Sequence, residues 1–184
     1  MIQLNVVCRI NEDKNFFFDL IYALHKLKEA GVTDIKLLFV GAIQSRSVYQ
    51  GMQRLIKILN LEEDISFTKK SIRFDDLPSS VKEGYFLNFT IGNFMGYSSI
   101  ESIKMGFKTI LYNVTKQLTN VTVASIAQCA DLTSLITLIT SIHELQAETD
   151  RLILEDNLRM KNSFILNSND KAFLRSVLVP NAGK

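Results

Sequence analysis

The sequence predicts an α/β domain, a Rossmann-like parallel sheet with helices on both faces, and three observations carry that reading. Short, mainly apolar runs, among them Ile35–Val40 (interrupted by Lys36) and Tyr85–Phe89 (interrupted by Asn88), alternate with longer segments whose apolar residues recur at helical spacing. Strands that are apolar on both faces need cover on both, the condition of a parallel sheet between helices. Connections this short favour right-handed β-α-β units, and no repeat, Gly/Ser linker or low-complexity tract divides the chain. Residues 1–184 therefore read as one domain, with a core over about 3–130 and C-terminal helices over about 131–178.

The elements follow in order. Leu4–Cys8 is the first strand. Phe16–Ala30 is a helix carrying Phe17, Leu20, Ile21, Leu24 and Leu27 on one face and stopped by Gly31. Ile35–Val40 is the second strand, ending at Gly41. Val48–Leu59 is a helix, with Ser47 and Gln50 spaced as a capping box. Ile65–Phe67 is a third strand, and Asp75–Val81 a short helical or turn segment broken around Pro78. Tyr85–Phe89, Ser98–Met105 and Thr109–Tyr112 read as strand, helix and strand. Val121–Ala130 offers a sixth strand, Asp131 an N-cap for Leu132–Leu145, Glu148–Phe164 another helix, and Asn169 an N-cap for a last helix to about Val177.

Composition narrows the function classes. Apolar residues are 47% and charged residues 22% of the chain, and 21 cations against 19 acids give a net charge of +2, so nucleic acid is not expected as a partner. No apolar run approaches the roughly 20 residues needed to span a bilayer, and the first residues lack a signal-peptide pattern, so a cytoplasmic location is expected. Cys8 and Cys129 lie in apolar stretches without CxxC spacing and read as buried thiols in a reducing compartment. The Asn-x-Thr sequons at Asn88, Asn113 and Asn120 read as chance matches, and His25 and His143 as partly exposed helix residues. There is no GxGxxG, no GxxxxGK[ST], no GxSxG, no Cys–His constellation and no metal-ligand spacing.

Open α/β sheets bind ligands outside the carboxyl ends of their strands, so function is sought there. Arg9 and Lys14 lie at and just beyond the end of strand one, before a helix. Two cations at that place suit a diphosphate, with the arginine able to bond in bidentate fashion. They also fit as solvated charges beside Glu12 and Asp13. In the segment Gly92–Gly106, backbone amides from Gly96 through Tyr97 and Ser98 to Ser99, with both serine hydroxyls, would face the same crevice. Glu101 would reach ribose hydroxyls, although Ser98-x-x-Glu101 also fits a capping box. Gly41 would allow close backbone approach, or make an ordinary tight turn. The Thr68–Ile72 loop, with Lys69, Lys70 and Ile72, would frame a nucleobase, or stand as a solvated basic loop.

Together these segments resemble the C-terminal, donor-binding domain of group 1 glycosyltransferases, retaining enzymes built of two facing Rossmann-like domains (the GT-B architecture). VVCRINEDKNFFFDLIYAL is similar to the family's strand, Arg-x4-Lys-Asn and helix, and KLLFVG to its second strand and glycine. LNLEEDISFT, DDLPSSV and FMGYSSIESIKMGFKTILYNV follow in the family's order. The resemblance runs from about Asn5 to Asn113 and more loosely to about residue 165. It implies that Arg9 and Lys14 bind the donor diphosphate, that Glu101, matching the second acid of a Glu-x7-Glu motif, holds the ribose, and that Ser98 and Ser99 lie where amides approach the phosphates. The first acid falls on Asn93, which can orient a sugar but cannot place negative charge against an oxocarbenium ion. Lys108 replaces the usual proline after the second glycine.

The resemblance further implies a nucleotide-diphosphate sugar as substrate, no metal or other cofactor, and hexosyl transfer in polysaccharide or glycolipid assembly. It also implies an absent N-terminal acceptor domain or partner chain, which would carry any peripheral association with the inner face of the membrane. A nucleotide-sugar 2-epimerase half-domain and a non-catalytic nucleotide-binding or partner module are the alternatives.

Overall fold

A computed structural model of the chain describes residues 1–14, 16–91, 94–115, 125–164 and 168–178. The strands are β1 (Ile2–Val7), β2 (Ile35–Val40), β3 (Ile65–Phe67), β4 (Tyr85–Ile91), β5 (Phe94–Met95), β6 (Lys108–Asn113) and β7 (Gln128–Cys129). The helices are α1 (Phe17–Glu29), α2 (Arg46–Ile58), α3 (Ser79–Lys82), α4 (Tyr97–Lys104), α5 (Leu132–Glu144), α6 (Gln146–Phe164) and α7 (Ser168–Leu178). A 3-10 turn, Phe74–Asp76, precedes α3. The sheet order is β3-β2-β1-β4-β6-β7, parallel throughout, with β5 added antiparallel to β4. The expected α/β, Rossmann-like architecture is the one observed.

Alternation along the strands builds two cores. Leu4 and Val6, Leu37 and Phe39, and Tyr85 and Leu87 face a large cluster with Phe17, Leu24, Met52, Leu135 and Ile139 from α1, α2 and α5. Their neighbours Val7, Leu38, Val40 and Phe86 face the other way, against Phe74, Leu77 and Val81. There the Phe74, Phe86 and Phe107 rings pack with centroids 4.6 to 5.8 Å apart. A sheet buried on both faces thus leaves its strand ends as the place for a ligand.

Several local expectations are corrected. Helix α2 begins at Arg46, and its cap is Ser45, whose Oγ accepts from Val48 N, rather than Ser47. The Ile10 carbonyl accepts from both Gln44 N and Ser45 N and fixes the turn there, which starts the helix earlier. Helix α4 starts at Tyr97 after Gly96 and has no side-chain cap, so Ser98 and Glu101 form no capping box. Asn169 lies inside α7 and not before it. Strand β7 is two residues long, and 121–124 of the expected strand fall outside the described residues. Asp131 does cap α5, in a reciprocal pair with Ser134. Among the thiols, Cys129 is buried and Cys8 half-buried, and both are free.

Helix α6 seals the sheet beyond β6. β7 pairs with β6 only from Leu111 onward, leaving the free edge at Thr109 uncovered. The buried Asn157 amide fills that place as a peptide group would, accepting from Thr109 N at 2.7 Å and donating to Thr109 O at 2.9 Å. Nearby, Lys108 pairs with Asp150 at 3.0 Å and lies 4.3 Å from the Tyr85 ring centroid, which gives this departure from the family's proline a packing role.

At the opposite end of the sheet, Asp64 joins α1 to β2 and β3 by accepting from Lys28 and, at 2.8 Å, from Lys36. Burial works to raise its carboxyl, but the two ammonium groups outweigh burial and hold it below its ordinary value near 3.8. A lowered folded value contributes stability that is complete above the ordinary value and lost as pH falls through the folded one. Asp64→Asn should therefore be less stable than the natural chain at neutral pH in urea titrations, with the gap closing below about pH 4. A gap that widens in acid would refute the pairing.

Candidate functional site

The sheet reverses its winding between β1 and β4, the switch point at which open α/β sheets form a crevice. The two strands pair only at Leu4–Tyr85 and Asn5–Phe86, whereas β4 and β6 stay in register over six positions. Beyond Asn5 the chain from β1 leans toward β2 instead. Cys8 N donates to Val40 O and Ile10 N to Ala42 O, both at 3.0 Å. The carboxyl ends of β1 and β4 therefore diverge. Aromatic rings floor the region, with Phe16 against Phe89 (centroids 3.6 Å apart) and Phe89 against Tyr112 (6.2 Å).

Arg9, exposed, and Lys14, half-buried, lie in the segment that leaves β1. Neither has an ionic or hydrogen-bond partner among the described residues. Lys14 lies close enough to Cys8 for its charge to act on the thiol, although burial dominates there and pushes the thiol up to about 12. Burial thus favours the protonated thiol at Cys8. Glu12 is turned away from both cations' role, accepting from the Ser45 and Ser47 hydroxyls at 3.1 and 3.4 Å.

Across the divide, α4 is set against the sheet by polar packing. Ser99 and Ser102 are fully buried, and such small side chains let the helix approach closely. Asn88 of β4 donates to Ser102 Oγ at 3.1 Å, Thr109 of β6 donates to it at 3.0 Å, and Ser102 donates to Ser99 O at 3.0 Å. This network fixes where the first turn of α4 stands, and it also buries the Asn88 sequon. Tyr97 is exposed, Ser98 and Glu101 are half-buried, and none of the three has a partner among the described residues. Asn93 lies outside the described residues.

Among the described residues, two buried side-chain polar atoms lack partners: Asn11 Oδ1 and Ser99 Oγ. One is on the segment leaving β1 and the other on the first turn of α4, so both orphans flank the switch point. Buried polar atoms without partners are uncommon and costly, and a shared position beside a crevice points to a polar ligand. Asn11 was not among the residues singled out from sequence, because nothing local distinguishes it from a solvated loop asparagine.

The other candidates stand at the margin. Gly41 is buried, and a Cβ there would meet Cys8 O at 1.9 Å, so backbone packing alone requires the glycine. Its N–H donates to Thr68 Oγ1 at 3.1 Å. Lys69 adopts a positive φ of 57° and places Nζ 5.9 Å from the Tyr49 ring centroid. Ile72 packs against the second core. A separate open groove of about 560 Å³ runs along α5, but its hydroxyls bond within their own helix: Thr137 to Thr133 O and Ser141 to Thr137 O. No metal-ligating cluster occurs among the described residues.

No family model and no curated protein matches the sequence. Solved structures do. HepE of Anabaena, in complex with UDP and glucose, is 14% identical with a TM-score of 0.68, over 96% of this chain and 47% of that one. A glycosyltransferase of Rickettsia africae is 18% identical with a TM-score of 0.69, over 98% of this chain and 48% of that one. The C-terminal domain of the group 1 family glycosyl transferase LpcC of Francisella tularensis is 10% identical with a TM-score of 0.63, over 89% of this chain and 85% of that domain. The chain spans about half the length of the first two. At such identities the likeness is one of fold, and it bears out the resemblance to a C-terminal GT-B half at that level.

Proposed function

We propose that this chain is the nucleotide-sugar-binding half of a glycosyltransferase that moves a hexosyl group from a nucleotide-diphosphate sugar to a glycan or lipid acceptor. The observation that carries the reading is the switch point itself. Two cations without partners among the described residues leave β1 there, the first turn of α4, which has no side-chain cap, stands at the end of β4, and the orphaned polar atoms among the described residues sit on the same two segments. The fold shared with HepE in its complexes with UDP and with UDP-glucose supports it.

The chemistry follows from charge. When the bond from sugar to diphosphate breaks, negative charge gathers on the leaving phosphate. Arg9 and Lys14 would meet it as fixed positive charge, and the amides of Tyr97 and Ser98 would donate to its oxygens, Ser99 N being held by Gly96 O at 3.0 Å. Side-chain neutralisation of this kind does without a divalent ion. Glu101, half-buried on the next turn, would accept from the ribose hydroxyls, and Asn93 would hydrogen-bond the donor sugar. The acceptor would come from a second domain or chain closing the crevice, and transfer with retention is part of the proposal.

Calorimetric titration with UDP, GDP and ADP tests it. One nucleoside diphosphate should bind at millimolar strength or better, unchanged by a chelator. Silence toward all three would count against the donor site.

A further inference from the structure

Helix α2 carries an unpaired cationic face. Its sequence, RSVYQGMQRLIKI, contains three cations and no acid. At about 100° per residue, Arg46, Arg54 and Lys57 fall within a sector of about 80°, with Gln50 among them and Gln53 about 20° outside it. All five are exposed, while Met52 and Ile56 on the far side are buried in the core. The three cations have no ionic or hydrogen-bond partner among the described residues. Elsewhere Lys28, Lys36, Lys108 and Arg159 each meet a carboxylate. Of the acids near the helix, Glu12 is held by hydroxyls at its start, and Glu62 and Glu63 follow its C-terminal end. Lys69 extends the positive strip along the Tyr49 flank.

From this we infer that the exposed face of α2 is a docking surface for an anionic lipid bilayer. Charge complementarity with phosphate headgroups is the first argument. The second is Ile58, 72% exposed and about 40° round the helix from Arg54 at the edge of the cationic sector, an apolar side chain with no place in the core. The third is shape. Arg46 to Lys57 spans about 16 Å of a convex helix lying along the surface, which suits a flat partner. A single-stranded nucleic acid would want stacking rings, and the one aromatic of α2, Tyr49, is spent edge-on against Phe67. The inference does not rest on the donor site, since none of these three cations belongs to it.

The test is co-sedimentation of the full chain with phosphatidylcholine vesicles, with and without phosphatidylglycerol. Each cation near an anionic leaflet is worth about fivefold in partitioning. The natural chain should thus favour the anionic vesicles by about a hundredfold at low salt, and added salt should erase the preference. An R46Q/R54Q/K57Q variant, checked by its melting curve, should lose that hundredfold and still bind nucleotide as before. Ile58→Ser should weaken partitioning severalfold without changing its salt dependence. Equal partitioning onto both vesicles, or a triple variant that binds like the natural chain, overturns the inference. So does capture by an oligonucleotide or an acidic peptide with no affinity for vesicles.

Discussion

Replacing Arg9 and Lys14 together by alanine should weaken binding of the preferred nucleoside diphosphate by at least a hundredfold. Hydrogen bonds to charged groups contribute about 1.5–3 kcal/mol each, so two lost together come to roughly 3–6 kcal/mol, or about 10²–10⁴ in affinity. The lower end applies because Arg9 is exposed and its field is screened by water. Fold stability should hardly move. Neither side chain has a partner among the described residues, and surface changes of that kind stay within about 0.5 kcal/mol. The free nucleoside, which lacks the diphosphate, should bind the double variant as well as the natural chain. Calorimetry with both ligands separates the outcomes. Diphosphate binding within threefold of normal would remove these cations from the site, and equal losses for nucleoside and diphosphate would mean a collapsed crevice.

Much of this geometry was legible in the sequence because the strands report burial directly. Ile35–Val40 carries Ile35, Leu37 and Phe39 on one face and Leu38 and Val40 on the other, and the structure buries the first face fully and the second in part. Arg9 and Lys14 were located by the boundary between strand and helix, a feature of local pattern. What stayed hidden depends on distant partners. Asn157 reads as one more polar helix residue until Thr109, 48 residues away, presents a bare strand edge to it. Ser99 reads as a hydroxyl for a ligand, yet its side chain is fully buried, and its neighbour Ser102 is a structural bond to Asn88 and Thr109. Strand β5 is too short to show a period, although Gly92-Asn93 between Ile91 and Phe94 is a hairpin signal of the kind that could have marked it. Capping was misplaced at Ser47, Ser98 and Asn169 because hydroxyl and amide residues crowd those segments. The backbone hydrogen bonds that choose among them are tertiary.

Gly41 separates packing from ligand binding most sharply, and Gly41→Ala should have the largest stability effect of any single methyl added at a candidate site residue. The new Cβ would lie 1.9 Å from Cys8 O, 2.6 Å from Cys8 C and 3.2 Å from Arg9 N. These are backbone atoms, and the ladder holds them: Cys8 N to Val40 O on one side of the contact and Ile10 N to Ala42 O on the other. A side chain could rotate out of the way, but here β1 or β2 must move and break pairing near the middle of the sheet. The cost should exceed about 4 kcal/mol, a large share of the 5–15 kcal/mol typical of a folded domain. Gly96→Ala is the control, since nothing lies within 4 Å of its Cβ position and its φ of −68° suits any residue. Urea denaturation should find that variant within about 1 kcal/mol of the natural chain. If Gly41→Ala were equally mild, the close passage of β1 past β2 would be wrong, and with it the divergence of β1 from β4 that opens the crevice. If it is severe, any folded remnant should also bind nucleotide poorly. The displaced segment is the one that carries Arg9.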